Sequence, residues 1–468
     1  MSKVTKKTVA SSGNTGTRAN FSGKLGFVLA TAGSAVGLGN IWRFPYLTAK
    51  YGGGMFVLVY ILLAFTFGYT MMVSEEAIGR LTQKSPVGAF RHFSGSGGAK
   101  FGGWINAVIP MLICPYYSVI GGWVTKYLAE YALGDQKRIA GDSFFPEFIS
   151  NAASAEIWFL IFAAIVILVI LGGVESGVER VSKFMMPVLV ILAAVVMIYS
   201  ITRPGALAGV KYMLVPDLSH FSIMTVVAAM GQMFYSLSIA MGILYTYGSY
   251  MKKEVNIESA TCQVAIFDSG IAIMAGLMII PAVFAFYGGA PKVLNAGPSL
   301  MFITLPKVFA SMGLGRWFGL LFFVLVLFAA VTSAISLAET SASTFQDELG
   351  WNRKKACGFM LLIMIVLGSL SSLGYSTLSG VTILGMAILD FFDFLTNSIM
   401  MPVAAICTCV LVLRHVGLKA IEQEVIYIGS SRFRLRRIYA FVLKYLSIIF
   451  VVIILLSSIL SALGVIRI

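Results

Sequence analysis

The 468-residue chain carries 34 Lys and Arg against 20 Asp and Glu, a formal net charge of +14, with 58% hydrophobic and only 12% charged residues. A soluble domain has about 25% charged residues, so these figures and a mean hydropathy of +0.90 exclude one and predict an all-α polytopic membrane protein. A nucleic-acid surface needs basic residues gathered on one folded polar face; here they lie in short segments between apolar runs, and no nucleic-acid partner is expected. Cys114, Cys262, Cys357, Cys407 and Cys409 are odd in number and lack CxxC spacing, so they read as small buried residues rather than a disulfide or zinc framework.

Met1 to Asn20 is polar and basic without a short apolar core, and residues 1–23 are expected to form a cytoplasmic tail. A crossing needs about 20 apolar residues. Runs near 24–49, 53–79, 102–133, 156–171, 184–201, 222–250, 259–288, 313–344, 355–373, 385–413 and 438–465 predict about eleven transmembrane helices. With the N-terminus inside, the inner segments hold 23 Lys and Arg and the outer ones ten, which satisfies the positive-inside rule and puts the C-terminus outside. Arg432, Arg434, Arg436 and Arg437 end a basic cytoplasmic loop over 414–437, and 438–468 supplies the eleventh helix and a short outer C-terminus. The segment 289–312, with Pro291, Pro298 and Pro306, is too interrupted to span and predicts an outer lid. The excess positive charge reads as a topology signal and as contact with anionic membrane lipid.

The first run contains Ala32-Gly33-Ser34-Ala35-Val36-Gly37-Leu38-Gly39-Asn40, which weakens the helix at a depth where each orphaned backbone group costs several kcal/mol. Either the freed groups line a ligand site, as in the broken helices of transporters, or the glycines serve close helix packing. The sixth run repeats the pattern in Gly231-Gln232-Met233-Phe234-Tyr235-Ser236-Leu237-Ser238-Ile239-Ala240-Met241-Gly242. Two halves that each open on an interrupted helix predict a 5+5 inverted repeat, 24–203 and 204–413, with breaks in helices 1 and 6 and one extra C-terminal helix. Asp268 falls ten residues into the seventh run, where an intramembrane charge costs about 2.5–3.5 kcal/mol and marks function. Facing Asn40 and Ser236, it offers the hard oxygens a small cation prefers; a protonated structural Asp is the alternative. Thr332 and Ser333 either join such a site or bond the preceding turn of their own helix. His92, His220 and His415 make no triad or metal cluster, and no P-loop lysine motif occurs, so neither an enzyme nor an ATP-driven pump is expected.

The stretch Gly33-Ser34-Ala35-Val36-Gly37-Leu38-Gly39-Asn40-Ile41-Trp42-Arg43-Phe44-Pro45-Tyr46, followed by Gly52-Gly53-Gly54, resembles the first-helix signature of the neurotransmitter:sodium symporter family. Tyr116-Tyr117, Gly231-Gln232 and Ala329-Ala330-Val331-Thr332-Ser333 extend the resemblance from about Arg18 to Asp393. Eleven helices instead of the family's usual twelve resemble its bacterial amino-acid branch, which includes the leucine transporter and eleven-helix carriers of tyrosine and other hydrophobic amino acids. The resemblance implies a sodium-coupled symporter in the bacterial cytoplasmic membrane, a monomer or weak dimer, importing a hydrophobic or aromatic L-amino acid by alternating access. A sodium-dependent sensor that binds without accumulating its ligand is the alternative from a different class.

Residue by residue, the resemblance implies a first sodium site from the Ala35 carbonyl, Asn40, Ser236 and Asp268 with the substrate carboxylate. A second would use the carbonyls of Gly33, Val36 and Ala329 and the hydroxyls of Thr332 and Ser333. The substrate pocket would comprise Ala35, Leu38, Gly39, Ile113, Tyr117, Tyr235, Ser238, Met241, Ser333 and Leu337, although Ile113 and Met241 also fit plain packing between helices. Amides near Leu38 and Gly39 with the Tyr117 hydroxyl suit an α-carboxylate; carbonyls near Ala35, Tyr235 and Ser238 suit the α-amino group. Animal members carry Asn at the position of Asp268 and bind chloride beside it, so Asp268 implies transport without chloride. Monoamine carriers have an Asp where this chain has Gly37, which favours a zwitterionic substrate. Arg43 and Asp393 would form an outer gating ion pair, and Arg18 and Asp347 an exposed inner one beside Tyr250. Phe21, where Trp is common, predicts a weaker inner closure; Glu75 would cap freed amides; Glu76, Glu339 and Asp390 have no assigned role.

Overall fold

A computed structural model describes residues 18–134, 136–288, 298–426 and 432–462. Helices α1 (Lys24–Ala35) and α2 (Gly39–Lys50) form a pair bent by 54°. Then come α3 (Gly54–Thr82), α4 (Gly97–Leu133), α5 (Ala152–Leu171), α6 (Val174–Ile201), α7 (Ile223–Ser236) and α8 (Ile243–Ser249). The second half continues with α9 (Ile257–Tyr287), α10 (Gly315–Leu349), α11 (Arg353–Leu373), α12 (Ile388–Val416), α13 (Leu418–Ile426) and α14 (Arg436–Ser457). Among the described residues nine helices are long and apolar enough to cross a membrane, and the bent α1–α2 pair makes a tenth. The expected count of eleven depends on taking the short α7 and α8 as one crossing.

Lipid offers no hydrogen-bond partner, so runs of this composition must satisfy their backbone internally and become helices. Proline does not interrupt them: Pro110 and Pro115 lie inside the 37-residue α4, Pro187 inside α6 and Pro281 inside α9. In the most apolar stretch of α4, 83% of residues are buried, against 28% in α6 and 33% in α14. Helix α4 packs chiefly against α10, α5 and α11, while α6 and α14 keep apolar side chains on the outside where lipid covers them.

The expected lid falls partly outside the described residues, which exclude 289–297. Its remainder includes a short apolar helix, Leu300–Ala310. Phe302 stacks on Phe145 and tilts against Tyr127, both at 4.9 Å between centroids, while the Tyr127 hydroxyl donates to the Phe302 carbonyl at 2.8 Å. Residues 1–17 of the expected tail, 427–431 of the basic loop and 463–468 of the outer C-terminus also lie outside the described residues.

Candidate functional site

Both expected breaks occur. Helix α1 ends at Ala35, Val36 turns extended at φ −75° and ψ 94°, and helical structure resumes at Gly39. Helix α7 ends at Ser236, after which Ser238 (φ 54°), Ala240 (φ 58°) and Gly242 (φ 72°) are left-handed before α8 starts. A non-glycine residue in that region costs roughly 1–2 kcal/mol, and such strain persists where the surroundings over-determine it. Here the surroundings are side chains that take up the freed backbone groups. Glu75 accepts the Ala240 N–H at 3.1 Å, as expected of it, and Gln232 donates to the Gly39 carbonyl at 3.1 Å. The Leu38 N–H donates to the Tyr117 hydroxyl at 3.2 Å, and the Ser34 and Ser238 hydroxyls meet at 3.1 Å across the two breaks.

Between the breaks lies a small cavity, and all ten residues expected in the substrate pocket line it, with Ser34, Gly37, Asn40, Ser236 and Ile243 in addition. Its walls carry no charged side chain. The free volume is ≈ 30 Å³, room for about two waters at ~10–15 Å³ each, so a ligand the size of an amino acid must displace the walls to enter. Above it sits a second cavity of ≈ 310 Å³ that includes Arg43, Tyr116, Asp390 and Asp393. Tyr117 and Tyr235 line both spaces and form the partition between them. Any side chain in place of either partition glycine must move a neighbour: a Cβ on Gly39 would stand 2.6 Å from the Tyr235 ring, and one on Gly37 would stand 2.7 Å from Ser333 Oγ.

Asp268 is fully buried and accepts three side-chain hydrogen bonds. Asn40 Nδ2 and Ser236 Oγ each reach Oδ1 at 2.7 Å, and the Tyr60 hydroxyl reaches Oδ2 at 2.6 Å. Asn40, Ser236 and Asp268 are thus brought together, with Ala35, Asn40 and Ser236 on the cavity wall. Tyr60 was missed, because an aromatic residue in an apolar run carries no polar signal beyond the rule that a buried phenol needs a partner. The second cluster splits. Ser333 Oγ approaches the carbonyls of Gly33, Ser34 and Val36 at 3.3, 3.1 and 3.4 Å, whereas Thr332 Oγ1 donates back to Phe328 at 2.9 Å and lies 3.2 Å from the Ala329 carbonyl. Of the two hydroxyls, Thr332 follows the within-helix alternative and Ser333 crosses to the broken first helix.

The family model for the sodium:neurotransmitter symporter family matches residues 18–134 and 147–465. The chain belongs to that family. A relative in Bacillus subtilis (strain 168), described as the uncharacterized sodium-dependent transporter YhdH, is 36% identical over 386 residues, or 82% of this chain and 85% of that protein. The human sodium- and chloride-dependent taurine transporter is 27% identical over 445 residues, covering 81% of this chain and 68% of its own length. The crystal structure of MhsT in complex with L-phenylalanine matches with a TM-score of 0.84 at 36% identity, over 94% of this chain and 100% of that one. This symporter-family member is accordingly a sodium-dependent multi-pass membrane transporter and not an enzyme, and sodium is the ion its family co-transports.

The residues expected at the two gates of the symporter differ in state. Arg18 Nη1 meets Asp347 Oδ1 at 2.5 Å, with side-chain exposures of 16% and 11%, so the pair is shielded and not the exposed latch expected. Arg18 also donates to Ser249 at 2.7 Å and to Ser343 at 3.1 Å, and lies 5.0 Å from the Tyr250 ring centroid. Phe21 is 1% exposed and packs edge-on against Phe27, Tyr247 and Tyr250 at 5.8, 5.4 and 6.0 Å. Three rings thus surround the phenylalanine at the inner closure.

The expected outer ion pair is not formed. Arg43 sits over the Tyr235 ring at 5.6 Å, and Asp393 instead accepts from Asn397 at 2.6 Å and from Tyr116 at 3.2 Å. Both charges face the larger cavity and neither pairs with the other. The three acids without an assigned role also find partners. Glu339 bonds Arg353 at 2.5 Å and accepts from Tyr250 at 2.9 Å, Thr261 donates to Glu76 at 2.6 Å, and Tyr375 donates to Asp390 at 3.4 Å.

Proposed function

We propose that the protein is a sodium-coupled symporter importing a hydrophobic or aromatic L-amino acid by alternating access, without chloride. The observation that carries the reading is the uncharged, mostly apolar cavity held between two helix breaks, with backbone amides and the Tyr117 hydroxyl at one end. Amides beside a helix N-terminus suit a carboxylate, carbonyls of the α7 break suit an ammonium, and Ile113, Met241 and Leu337 suit an apolar side chain. The complex of MhsT with L-phenylalanine supports the same substrate class.

In this reading the first sodium lies among Ala35, Asn40, Ser236 and Asp268, and the second among Gly33, Val36, Ala329, Thr332 and Ser333. For the second ion to bind, the Thr332 hydroxyl turns from Phe328 toward the first helix. Asp268 supplies covalently the negative charge that a chloride ion would otherwise provide. The halves 24–203 and 204–413 move against each other as repeats, with 414–437 cytoplasmic, 438–468 an added helix and the C-terminus outside the bacterial cytoplasmic membrane. Arg18–Asp347 closes the inner side, while Arg43 and Asp393 approach each other only when substrate draws the outer cavity shut. One net charge moved through about 100 mV supplies about 2.3 kcal/mol, roughly fifty-fold accumulation at about 1.4 kcal/mol per decade.

The test is uptake of labelled phenylalanine, tyrosine and leucine into sealed proteoliposomes under an inward sodium gradient, in chloride and in gluconate. Accumulation that needs sodium and is equal in the two anions is expected. Saturable binding without accumulation would instead identify a sensor, and a large loss in gluconate would reject chloride independence.

A further inference from the structure

At the end of the bundle that carries Arg18 and Asp347, the start of α9 meets the stretch leading into α14. Between them opens a recess of ≈ 840 Å³ whose walls include Asn256, Glu258, Ser259, Cys262, Arg432 and Arg434. Glu258 contributes a carboxylate, but both its oxygens are engaged by backbone: Oε2 accepts the Arg434 N–H and Oε1 the Leu435 N–H, each at 3.0 Å. The acid thus pins the arginine-bearing chain to α9. Arg432 and Arg434 are exposed, and among the described residues neither guanidinium has a hydrogen bond or an ion pair. A third cation stands at the wall, where Lys24 Nζ donates to Ser259 Oγ at 2.8 Å, leaving the serine its own proton to give. The N-terminus of the 31-residue α9, capped by Asn256, adds partial positive charge.

An apolar strip continues from the recess. On α14, Ile438, Phe441 and Tyr445 follow Arg434 at helical spacing and are 42%, 55% and 53% exposed, and Ile266, one turn beyond Cys262 on α9, is 59% exposed. Three cations against one occupied carboxylate call for an anion, and a polar recess opening onto an exposed apolar strip calls for an amphiphile. We propose that this recess binds the phosphate headgroup of an anionic phospholipid, held by Arg432, Arg434 and Ser259, with its acyl chains along Ile266, Ile438 and Phe441. A guanidinium grips phosphate oxygens in a bidentate fork. A choline headgroup would bring its own ammonium toward three cations and is disfavoured. A free phosphate shares the headgroup chemistry and gains nothing from the strip.

The site is independent of the transport reading, because it is read by binding alone. Full-length protein is loaded with phosphatidylglycerol or phosphatidylcholine and the retained lipid counted by native mass spectrometry, and a photoactivatable phosphatidylglycerol is mapped by peptide. Preferential retention of phosphatidylglycerol is expected, with cross-links concentrated in 256–266 and 432–445. Arg432→Gln combined with Arg434→Gln should weaken retention roughly thirty-fold, the loss of two juxtamembrane basic contacts. Because those charges also bear on insertion, Cys262→Trp provides a second variant that leaves the charge unaltered and puts an indole at the recess wall, and it should weaken retention of the lipid. Equal retention of phosphatidylcholine, unchanged retention in either correctly folded variant, or scattered cross-links would overturn the site. Complete displacement by millimolar inorganic phosphate would reassign it to a soluble phosphate and reject the lipid.

Discussion

Asp268 takes three hydrogen bonds and no full positive charge, an arrangement that stabilises a carboxylate while leaving it a net anion for a cation to use. Asp268→Asn should abolish uptake or make it depend on halide; normal uptake by the variant in gluconate would show that the charge plays no such part. Tyr60 holds the carboxylate from the opposite side. Hydrogen bonds to a charged group contribute about 1.5–3 kcal/mol, so Tyr60→Phe should lower the unfolding temperature most in sodium-free buffer, and added sodium should restore more of it than in the parent protein. An equal drop with and without sodium would place Tyr60 outside the ion's influence. That Asn40, Ser236 and Asp268 come together was legible in the sequence because polar atoms at that depth must find partners. That Arg43 and Asp393 stand apart across a cavity, beside a tyrosine ring and an asparagine amide, was not legible, since opposite signs in a sequence do not reveal which neighbours are nearer.

At the level of the helix, the glycines of 33–39 announced the first break, yet two of the residues that bear the second are Ser238 and Ala240, side chains with no intrinsic leaning to positive φ. Their conformation is imposed by packing, which no local pattern in the chain records. Glu75 is part of that imposition. Glu75→Ala leaves the Ala240 N–H without its buried acceptor at a cost of about 1–3 kcal/mol; a lowered unfolding temperature and reduced substrate affinity are expected in the same variant. Gly39→Ala tests the first break, because its methyl must push the Tyr235 ring out of the partition between the cavities. Binding of phenylalanine, measured by scintillation proximity, should weaken at least tenfold, about 1.4 kcal/mol. Unaltered affinity would show that the ring is free to yield. Helix lengths were the least legible feature: α6 begins at Val174, ten residues before the expected apolar run, because Glu175, Glu179 and Lys183 lie on a helix that continues past the lipid.

Across the whole molecule the two ends are unequal, one stitched by Arg18 to three partners and lined with rings, the other holding a cavity of ≈ 310 Å³ with its charges apart. Arg18→Ala removes that stitching and should shift the population toward the inward-facing form, seen as faster hydrogen exchange over 24–35 and slower net uptake; unchanged exchange would mean the rings alone hold the closure. Overall architecture was readable from hydropathy because lipid leaves only helices as an option, whereas which end is open depends on contacts between residues hundreds of positions apart. The 37-residue α4, at ~1.5 Å per residue, is about 55 Å long, nearly twice the ~30 Å oily slab it pierces. Tyr116 and Tyr117 sit near its midpoint, so any tilt that accommodates cargo at the waist is magnified at both tips, and a fluorophore on either water-exposed end should report loading deep inside.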